Sequence, residues 1–457
     1  MVLSLTNIGK ISSATIKLDG ITVIAGENSS GKSTVGKALF SVVNGSHNIV
    51  TRVATEKRVA IAELLERLIY EASPRPTSRA SSRIHYTEAL NNASEILRNY
   101  KKYVDPYSLA KDLQVIINSP EGAFQQLTLD PSIESQSITI DPLILNSYTK
   151  KIVRILNKTD EEITARIMTN LLQDEFKNQI VKMSVDEDHV GQIKLDMNSH
   201  SVTLEVTSNS LNMHDQLGNM AHNIEAVFID DPFILERDNI SGRSPFQFYI
   251  GRNAAILSEL HRQYCAHPLH LYRCLTDQFD TSALNAILIE DQLYDVFNKL
   301  NTVCDGSIER KKDGYYYRDI KTGLSFNMSN VSTGIKSFAI IKTLLMHRVL
   351  SENNVLILDE PEIHLHPEWQ LVFAELLVLL QKELNLRILI NTYSIDFLCA
   401  IEIFAHRHEI LNKCNFYQAK NEGTSAIIFD VTDEIEKIYA QLGRALQRLE
   451  DMRHGHD

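Results

Sequence analysis

A strand, a glycine-rich loop and a helix follow one another near the start of the sequence, and this order constrains the fold more than any other feature. The apolar segment ITVIA, residues 21–25, precedes the octapeptide GENSSGKS at residues 26–33, and a helix is predicted over residues 32–43. The octapeptide matches the P-loop pattern G-x-x-x-x-G-K-[ST]. In such a loop, backbone N–H groups and the helix N-terminus face phosphate oxygens. The segment therefore predicts a nucleotide-phosphate site on an α/β fold.

The loop residues have predicted roles in binding a nucleoside triphosphate. Lys32 is expected to reach the β- and γ-phosphates, and Ser33 is expected to ligate Mg²⁺. A Gly/Ser-rich turn without a ligand is the alternative, and the register of strand, loop and helix disfavours it. The predicted nucleotide-binding residues are Gly26, Asn28, Ser29, Ser30, Gly31, Lys32, Ser33 and Thr34.

A P-loop site also needs an acidic residue, at the end of a neighbouring buried strand. Asp359 and Glu360 follow the apolar segment VLIL at residues 355–358. Asp359 is expected to hold Mg²⁺, directly or through water, and Glu360 is expected to polarise the attacking water. Asp230 and Asp231 form a competing pair within the segment AVFIDDPFIL. That segment lacks the glutamate and no helix of matching length follows it, so we interpret this pair as a structural strand end.

A third segment, VSTGIKS at residues 331–337, opens a predicted helix. Ser332 at the helix start offers a hydroxyl and exposed N–H groups to an anion, with Gly334 two residues further on. Taken alone, the segment is a well-capped helix. Ser332 and Gly334 are the candidate anion-binding residues of this segment.

In this order and spacing, the three segments resemble the P-loop, signature and Walker B motifs of ABC-type ATPases. LSLTNIGKISSATIKLDGITVIAGENSSGKST is similar to the start of an SMC-type or OLD-type head. ILDEPEIHLHPEWQ is similar to the Walker B and D-loop region of stand-alone bacterial ABC ATPases, many of them in anti-phage defence systems such as OLD, Septu, retron-linked Septu-like systems and PARIS. The specific matches cover about residues 1–45 and 320–400.

The resemblance implies an ATP-hydrolysing head that uses ATP and Mg²⁺. Glu360 and Lys32 are its catalytic residues, and Ser33 and Asp359 hold the metal. By the same resemblance, Ser332 and Gly334 contact the γ-phosphate bound to the opposite protomer of a head-to-tail dimer or of a higher oligomer. Lys336 belongs to the same signature segment that acts in trans. The implied fold is a mixed sheet with flanking helices and a large helical and β insertion.

Two departures from the family pattern bear on activity. Tyr393 stands where the family usually has a histidine that contacts the γ-phosphate. Slow hydrolysis is expected, because a tyrosine can donate a hydrogen bond but does not exchange its proton near neutral pH as an imidazole does. OLD nucleases also carry a C-terminal Toprim domain. Only about sixty residues follow the last predicted core strand at 386–391, and the segment Asp430–Asp433 is interpreted as a turn before a helix.

Three segments are predicted along the chain. Residues 1–48 form the N-terminal part of the head, residues 49–225 a mostly helical insertion with a β hairpin, and residues 226–457 the C-terminal part of the head. The 300 residues between Lys32 and Ser332 show no sustained heptads, which a long SMC coiled coil requires. The insertion is expected to be a compact arm for a partner or for self-assembly.

The composition limits the partners. The formal net charge is −12, so contact with nucleic acid is expected only at a local patch. No apolar run approaches the roughly 20 residues that span a bilayer. Five scattered cysteines and the lack of a signal-peptide pattern indicate a cytoplasmic protein without a disulfide framework.

Histidine and cysteine residues raise a weaker possibility of a structural metal. Cys265, His267, His270 and Cys274 offer four ligands within ten residues, although their spacing differs from the usual pairs of zinc ligands. A helix–turn packing segment is the favoured interpretation. His364 and His366 lie in the D-loop equivalent, where contacts across a dimer interface are favoured over a metal.

The leading hypothesis is a nucleotide-switched regulatory subunit of an anti-phage defence complex that controls a separately encoded effector, a nuclease. The alternative is an SMC-like DNA-repair or recombination ATPase that binds DNA directly. A transporter subunit is a third hypothesis, and the 300-residue insertion has no place in a compact transporter cassette.

Overall fold

The computed structural model describes residues 1–72, 91–98, 109–110, 113, 141–181, 190–197, 200–207, 211–213, 222–239, 266–276, 283–311 and 313–453. The chain divides into two compact units. The first comprises residues 1–48 and 165–457, and the second comprises residues 49–164.

The described strands and helices are as follows. The strands are β1 (Val2–Ile8), β2 (Ile11–Lys17), β3 (Ile21–Gly26), β4 (Gly191–Met197), β5 (His200–Val206), β6 (Leu211–Met213), β7 (Ala226–Ile229), β8 (Ser307–Lys311), β9 (Gly314–Arg318), β10 (Ser325–Asn327), β11 (Val355–Asp359), β12 (Arg387–Thr392), β13 (Cys414–Glu422) and β14 (Ser425–Asp430). The helices are α1 (Lys32–Ser46), α2 (Ile49–Ala72), α3 (Pro142–Leu156), α4 (Asp160–Phe176), α5 (His267–Thr276), α6 (Ala283–Gln292), α7 (Tyr294–Val303), α8 (Thr333–Met346), α9 (Pro367–Leu384), α10 (Ile395–Arg407), α11 (Glu436–Leu442) and α12 (Arg444–Arg453).

The first unit is built on one mixed sheet of eleven described strands, in the order β6-β5-β4-β1-β2-β14-β13-β3-β12-β11-β7. The strands β13, β3, β12, β11 and β7 run parallel to one another. The strands β1, β2, β4, β5 and β6 form an antiparallel arm. Because the carboxyl ends of parallel strands meet at one edge, the loops after β3, β11 and β12 converge there.

Strand β3 lies between β13 and β12 in the parallel block and is buried on both faces. Ile21, Val23 and Ala25 belong to one apolar cluster of the unit, and Ile24 belongs to the other. This division follows from the period-2 alternation of strand side chains. Helix α1 contributes to the same cluster as Ile24, and helices α8, α9 and α10 contribute to the cluster of Val23. The sheet is thus covered by helices on both faces, and this confirms the expected α/β class with a mixed sheet and flanking helices.

Two strands of the sheet were not expected from the sequence. The segment at residues 386–391 was predicted to be the last core strand, and this prediction was wrong. Strand β13 pairs in parallel with β3, and β14 pairs in parallel with β2, so both belong to the core sheet. Asp430 at the end of β14 accepts a hydrogen bond from the Thr432 amide at 2.8 Å, which makes the turn expected there.

The β hairpin expected within residues 49–225 is formed by β4 and β5, which pair antiparallel. It continues the main sheet of the first unit, because β4 pairs with β1. Helix α1 ends at Ser46, later than the predicted end at residue 43. The Asn44 side chain is hydrogen-bonded to both backbone groups of Ala226 instead of ending the helix.

The second unit contains α2, α3, the helical residues 91–98 and the start of α4. Its own apolar cluster includes Ile61, Leu65, Ile96 and Ile152. In the described part of the chain, each helix is too short or too polar to cross a bilayer.

Candidate nucleotide-binding site

The P-loop lies between β3 and α1, where the sequence places it. Gly31 has φ 84°, a left-handed conformation that favours glycine, and a Cβ atom there would lie 2.9 Å from Ile11 Cγ1. The Ser30 hydroxyl donates to the Glu27 carbonyl at 2.7 Å and ties the loop to itself. These contacts fix the curled backbone that phosphate binding requires.

Lys32 is 5 % exposed, and its ammonium points back into the loop. It donates to the carbonyls of Gly26 at 2.9 Å and of Glu27 at 2.8 Å. The ammonium also lies 4.6 Å from the centre of the Tyr393 ring. Burial lowers the pKa of Lys32, and the nearby carboxylates, Glu360 first among them, oppose this effect.

Asp359 and Glu360 lie at the carboxyl end of β11, next to β12. Asp359 accepts a hydrogen bond from the Asn391 side-chain amide at 2.8 Å, and the Glu360 amide donates to the Asn391 carbonyl at 2.8 Å. Glu360 has φ 53°, so the chain turns sharply directly after the strand. Burial and the charge of Asp359 raise the pKa of Glu360, as expected for a carboxylate suited to accept a proton.

An open cavity of about 300 Å³ joins these groups. It is lined by Lys10, Asn28, Ser29, Ser30, Gly31, Lys32, Ser33, Thr34, Glu360 and Tyr393. The structure therefore brings most of the predicted P-loop residues together with the predicted catalytic glutamate and the predicted switch position. A second cavity, of about 310 Å³, lies on the other side of Glu360 and is lined by Asp230, Asp359 and His364 among others.

Two residues near the cavity were missed by sequence reasoning. Lys10, in the turn between β1 and β2, donates to the Ser29 carbonyl at 2.6 Å and to Asn421 Oδ1 at 2.8 Å. Glu362 is buried and accepts a hydrogen bond from the Thr392 hydroxyl, and burial raises its pKa. The spacing Glu360-x-Glu362 directly after a buried strand was the available signal for Glu362, whereas Lys10 has no local signal.

The signature segment lies at the start of α8, outside the P-loop cavity of its own protomer. Ser332 is the N-cap residue and is exposed. Gly334 is packed against Trp369, since a Cβ atom would lie 2.6 Å from the indole ring. Lys336 is buried, forms an ion pair with Glu236 and lies 5.0 Å from the centre of the Phe233 ring. Lys336 is thus engaged within its own chain.

The competing pair Asp230-Asp231 has partners of its own. Asp231 accepts a hydrogen bond from the Phe233 amide at 2.8 Å. Asp230 accepts a 2.8 Å hydrogen bond from His267 Nε2, and His267 Nδ1 lies 2.7 Å from Glu175 Oε2. The two carboxylates raise the pKa of His267 to about 9, against the opposing effect of burial.

The other histidines singled out from the sequence also have defined places. His366 is the N-cap residue of α9, and the His364 ring packs edge-on against Phe233 at 5.5 Å between centres. His270 lies 3.0 Å from Glu225 and 3.7 Å from Cys274 Sγ. Cys265 lies outside the described residues.

Part of the chain is similar to known proteins. Residues 271–398, which include the signature segment, β11 and β12, match the family model described as AAA ATPase domain. No curated protein matches the chain. Among solved structures, the SMC head domain from Thermotoga maritima is 10% identical with a TM-score of 0.38, over 94% of this chain and 98% of that chain.

Two further solved structures are similar. The Smc head domain with an extended coiled coil, bound to the C-terminal domain of ScpA and derived from Pyrococcus furiosus, is 11% identical with a TM-score of 0.41, over 99% of this chain and 98% of that chain. The SmcHead bound to the C-winged helix domain of ScpA is 11% identical with a TM-score of 0.42, over 95% of this chain and 98% of that chain.

The class of protein follows from the site and the matched family model. A P-loop after the buried strand β3, a carboxylate pair at the end of β11 and the similarity of residues 271–398 to the AAA ATPase domain support a P-loop site of the ATPase kind.

Proposed function

We propose that the chain binds ATP with Mg²⁺ and hydrolyses it slowly between two protomers, as the nucleotide switch of a larger assembly. The observation that carries this proposal is the single cavity lined by the P-loop, Glu360 and Tyr393. A triphosphate in the loop places its γ-phosphate near Lys32, with Glu360 on the side of the attacking water. The raised pKa of Glu360 suits it to accept the proton of that water.

The residues present fit a magnesium ion. Mg²⁺ prefers hard oxygen ligands. Ser33 offers a hydroxyl at the N-terminal end of α1, and Asp359 offers a carboxylate whose orientation is fixed by Asn391. Bound there, the ion would neutralise charge on the β- and γ-phosphates. Asp359 and Ser33 are the residues that would hold it.

The two-protomer arrangement is supported by the position of the signature segment. Ser332 is exposed at the N-terminus of α8, where free N–H groups can meet an anion of a partner. The packing of Gly334 against Trp369 lets α8 begin close to α9. Ser332 and Gly334 are therefore proposed to contact the γ-phosphate held by the opposite protomer. Lys336 is buried and forms an ion pair with Glu236 of its own chain. Its proposed role is therefore to position the signature segment.

The biological role proposed is regulation of a separately encoded nuclease in anti-phage defence, and it rests on the resemblance of residues 1–45 and 320–400 to ATPases of such systems. The second unit, residues 49–164, is a compact body with its own apolar cluster, which suits a docking arm. Direct DNA binding by an SMC-like head is the competing role.

The ATPase proposal is tested with purified wild type, Lys32→Ala, Glu360→Gln and the control Glu383→Gln, whose side chain is exposed near the end of α9. Lys32→Ala should abolish ATP binding. Glu360→Gln should keep binding, lose hydrolysis by about 10²–10⁴-fold and accumulate an ATP-dependent dimer in light scattering. Wild-type affinity for ATP in Lys32→Ala, or an unchanged size of Glu360→Gln with ATP, would reject the proposal.

The two roles are separated by a DNA-binding measurement with the chain alone. A regulator of a separate nuclease should show no ATP-dependent binding of duplex DNA. An SMC-like DNA clamp should bind with ATP, and its affinity should fall steeply with salt. Coexpression with the nuclease encoded by the neighbouring gene, where one is present, should give a complex whose DNA cleavage changes between wild type and Lys32→Ala.

A further inference from the structure

Three potential metal ligands lie close together near the amino end of β7, whereas the P-loop lies at the carboxyl ends of the parallel strands. His270 and Cys274 are four residues apart on α5, so they share one helix face. Glu225 directly precedes β7, the edge strand of the parallel block. One ligand atom from each of these three residues lies within 4.8 Å of the other two.

The three side chains are held by their surroundings. His270 Nε2 lies 3.0 Å from Glu225 Oε1, and Cys274 Sγ lies 3.9 Å from the same nitrogen. Both α5 residues are less than 10 % exposed, and the Phe40 ring packs edge-on against His270 at 5.4 Å between centres. This apolar contact excludes water from one side of the cluster.

The backbone of Glu225 is fixed at both of its polar groups. Its amide donates to Asn354 Oδ1 at 3.1 Å, and its carbonyl accepts from the Val355 amide at 2.9 Å. The carboxylate therefore starts from a rigid point beside α5. Such preorganisation reduces the cost of assembling a binding site.

We propose that Glu225, His270 and Cys274 bind one zinc ion or a similar divalent transition metal, with the remaining position open to water. A thiolate, an imidazole and a carboxylate form a donor set that suits zinc and cobalt, whereas magnesium and calcium prefer oxygen ligands only. Binding replaces the proton of the Cys274 thiol, so the metal enters with release of a proton. The ion links α5 to the amino end of β7.

This site is distinct from the one proposed for Mg²⁺. Asp359 lies at the carboxyl end of β11, and β7 runs parallel to β11. Glu225 precedes the first residue of β7, so the proposed zinc site lies at the opposite edge of the sheet. It also differs from the site that four ligands within residues 265–274 suggest, because His267 is engaged by Glu175 and Asp230 at both ring nitrogens.

The test is the metal content and cobalt spectrum of the full chain. Wild type purified with Zn²⁺ and desalted should retain about one equivalent per chain, measured by mass spectrometry. With Co²⁺, it should show a thiolate-to-cobalt charge-transfer band, which a metal in the oxygen-ligand site of Ser33 and Asp359 lacks. Wild type that retains no zinc and shows no such band would overturn the proposal.

Variants separate the cluster from other thiols. Cys274→Ser should lose the band, whereas Cys304→Ser, which changes a buried cysteine elsewhere in the described chain, should keep it. If Cys274→Ser fails to fold, Glu225→Gln tests the site without changing the thiol and should weaken zinc affinity roughly tenfold or more. Equal zinc affinity and identical cobalt spectra in wild type and Glu225→Gln would contradict the proposed ligand set.

Discussion

The Lys32 ammonium lies 4.6 Å from the centre of the Tyr393 ring, within the range of a cation–π contact. Lys32 begins α1 directly after the P-loop that follows β3, and Tyr393 follows β12; the strands β3 and β12 are neighbours in the sheet. Tyr393 thus helps to place the P-loop lysine, and its ring serves this purpose without its hydroxyl. A histidine at the same position would add a group that exchanges a proton near neutral pH.

The first prediction concerns this position. Tyr393→His should raise the steady-state rate of ATP hydrolysis several-fold, because the imidazole can donate a proton to the γ-phosphate region. Tyr393→Phe should hydrolyse ATP at a rate within about twofold of wild type, because the ring over Lys32 is kept. Phosphate release at saturating ATP is the measurement. A Tyr393→His protein that binds ATP and is no faster than wild type would contradict the prediction.

The second prediction concerns Glu362, a buried carboxylate beside Thr392. Burial raises its pKa in the folded chain, so ionisation costs folding free energy. This cost is absent below the ordinary pKa of a glutamate, grows as the pH rises from that value towards the raised folded value, and stays constant above the folded value. Glu362→Gln should therefore be more stable than wild type at about pH 8, by roughly 1 kcal/mol, and equal to it at about pH 4.

Denaturant unfolding at the two pH values measures this difference. The exposed Glu383 on α9 provides the matched control, since Glu383→Gln should leave stability unchanged at both values. A stability difference in Glu362→Gln that does not vary with pH would show that the charge of Glu362 is not its cause.

The P-loop and β11 could be predicted because their chemistry is local. Strand, loop and helix follow one another within the segment 21–46, and the glycine pattern reports the backbone shape directly. Helix α9 has local signals of the same kind, because it starts with Pro367 and ends before Asn385, which is in a left-handed conformation.

The sheet order could not be predicted, because strand pairing is set by contacts between distant segments. Strand β4 joins β1 across about 190 residues, and β13 joins β3 across about 400. For the same reason, the pairing of Lys336 with Glu236 could not be predicted, nor could that of His267 with Glu175 and Asp230. Each of these ion pairs joins groups from separate elements, and no local spacing in the sequence indicates it.

The third prediction concerns the buried imidazolium of His267. Its pKa in the folded chain is raised from 6.5 to about 9, so its stabilising effect is fully present below about pH 6.5 and is lost as the pH rises through about 9. Wild type should lose up to about 3 kcal/mol of unfolding free energy over this interval through His267.

His267→Gln should lack this component, and its unfolding free energy should change less between about pH 6.5 and pH 9. The control is His406→Gln, since His406 is exposed on α10 and should leave the pH profile as in wild type. Parallel pH profiles of His267→Gln and wild type would mean that the contacts with Glu175 and Asp230 do not hold the proton on His267.

The fourth prediction tests whether two protomers complete one site. Lys32→Ala removes the P-loop lysine, and Ser332→Arg places a bulky cation at the exposed start of α8, so each variant alone should be inactive. In a mixed dimer, one site combines the intact P-loop of the Ser332→Arg protomer with the intact Ser332 of the Lys32→Ala protomer. Half of the dimers are mixed, with one working site of two, so an equal mixture should recover about a quarter of wild-type turnover.

ATP hydrolysis by the mixture, compared with each variant at the same total concentration, is the measurement. Mixing Lys32→Ala with the double variant Lys32→Ala/Ser332→Arg is the control and should recover nothing, since neither chain supplies a P-loop lysine. If Ser332 acted within its own protomer, the Lys32→Ala and Ser332→Arg mixture would likewise stay inactive. Recovery therefore requires that the signature segment and the P-loop of one site come from different chains.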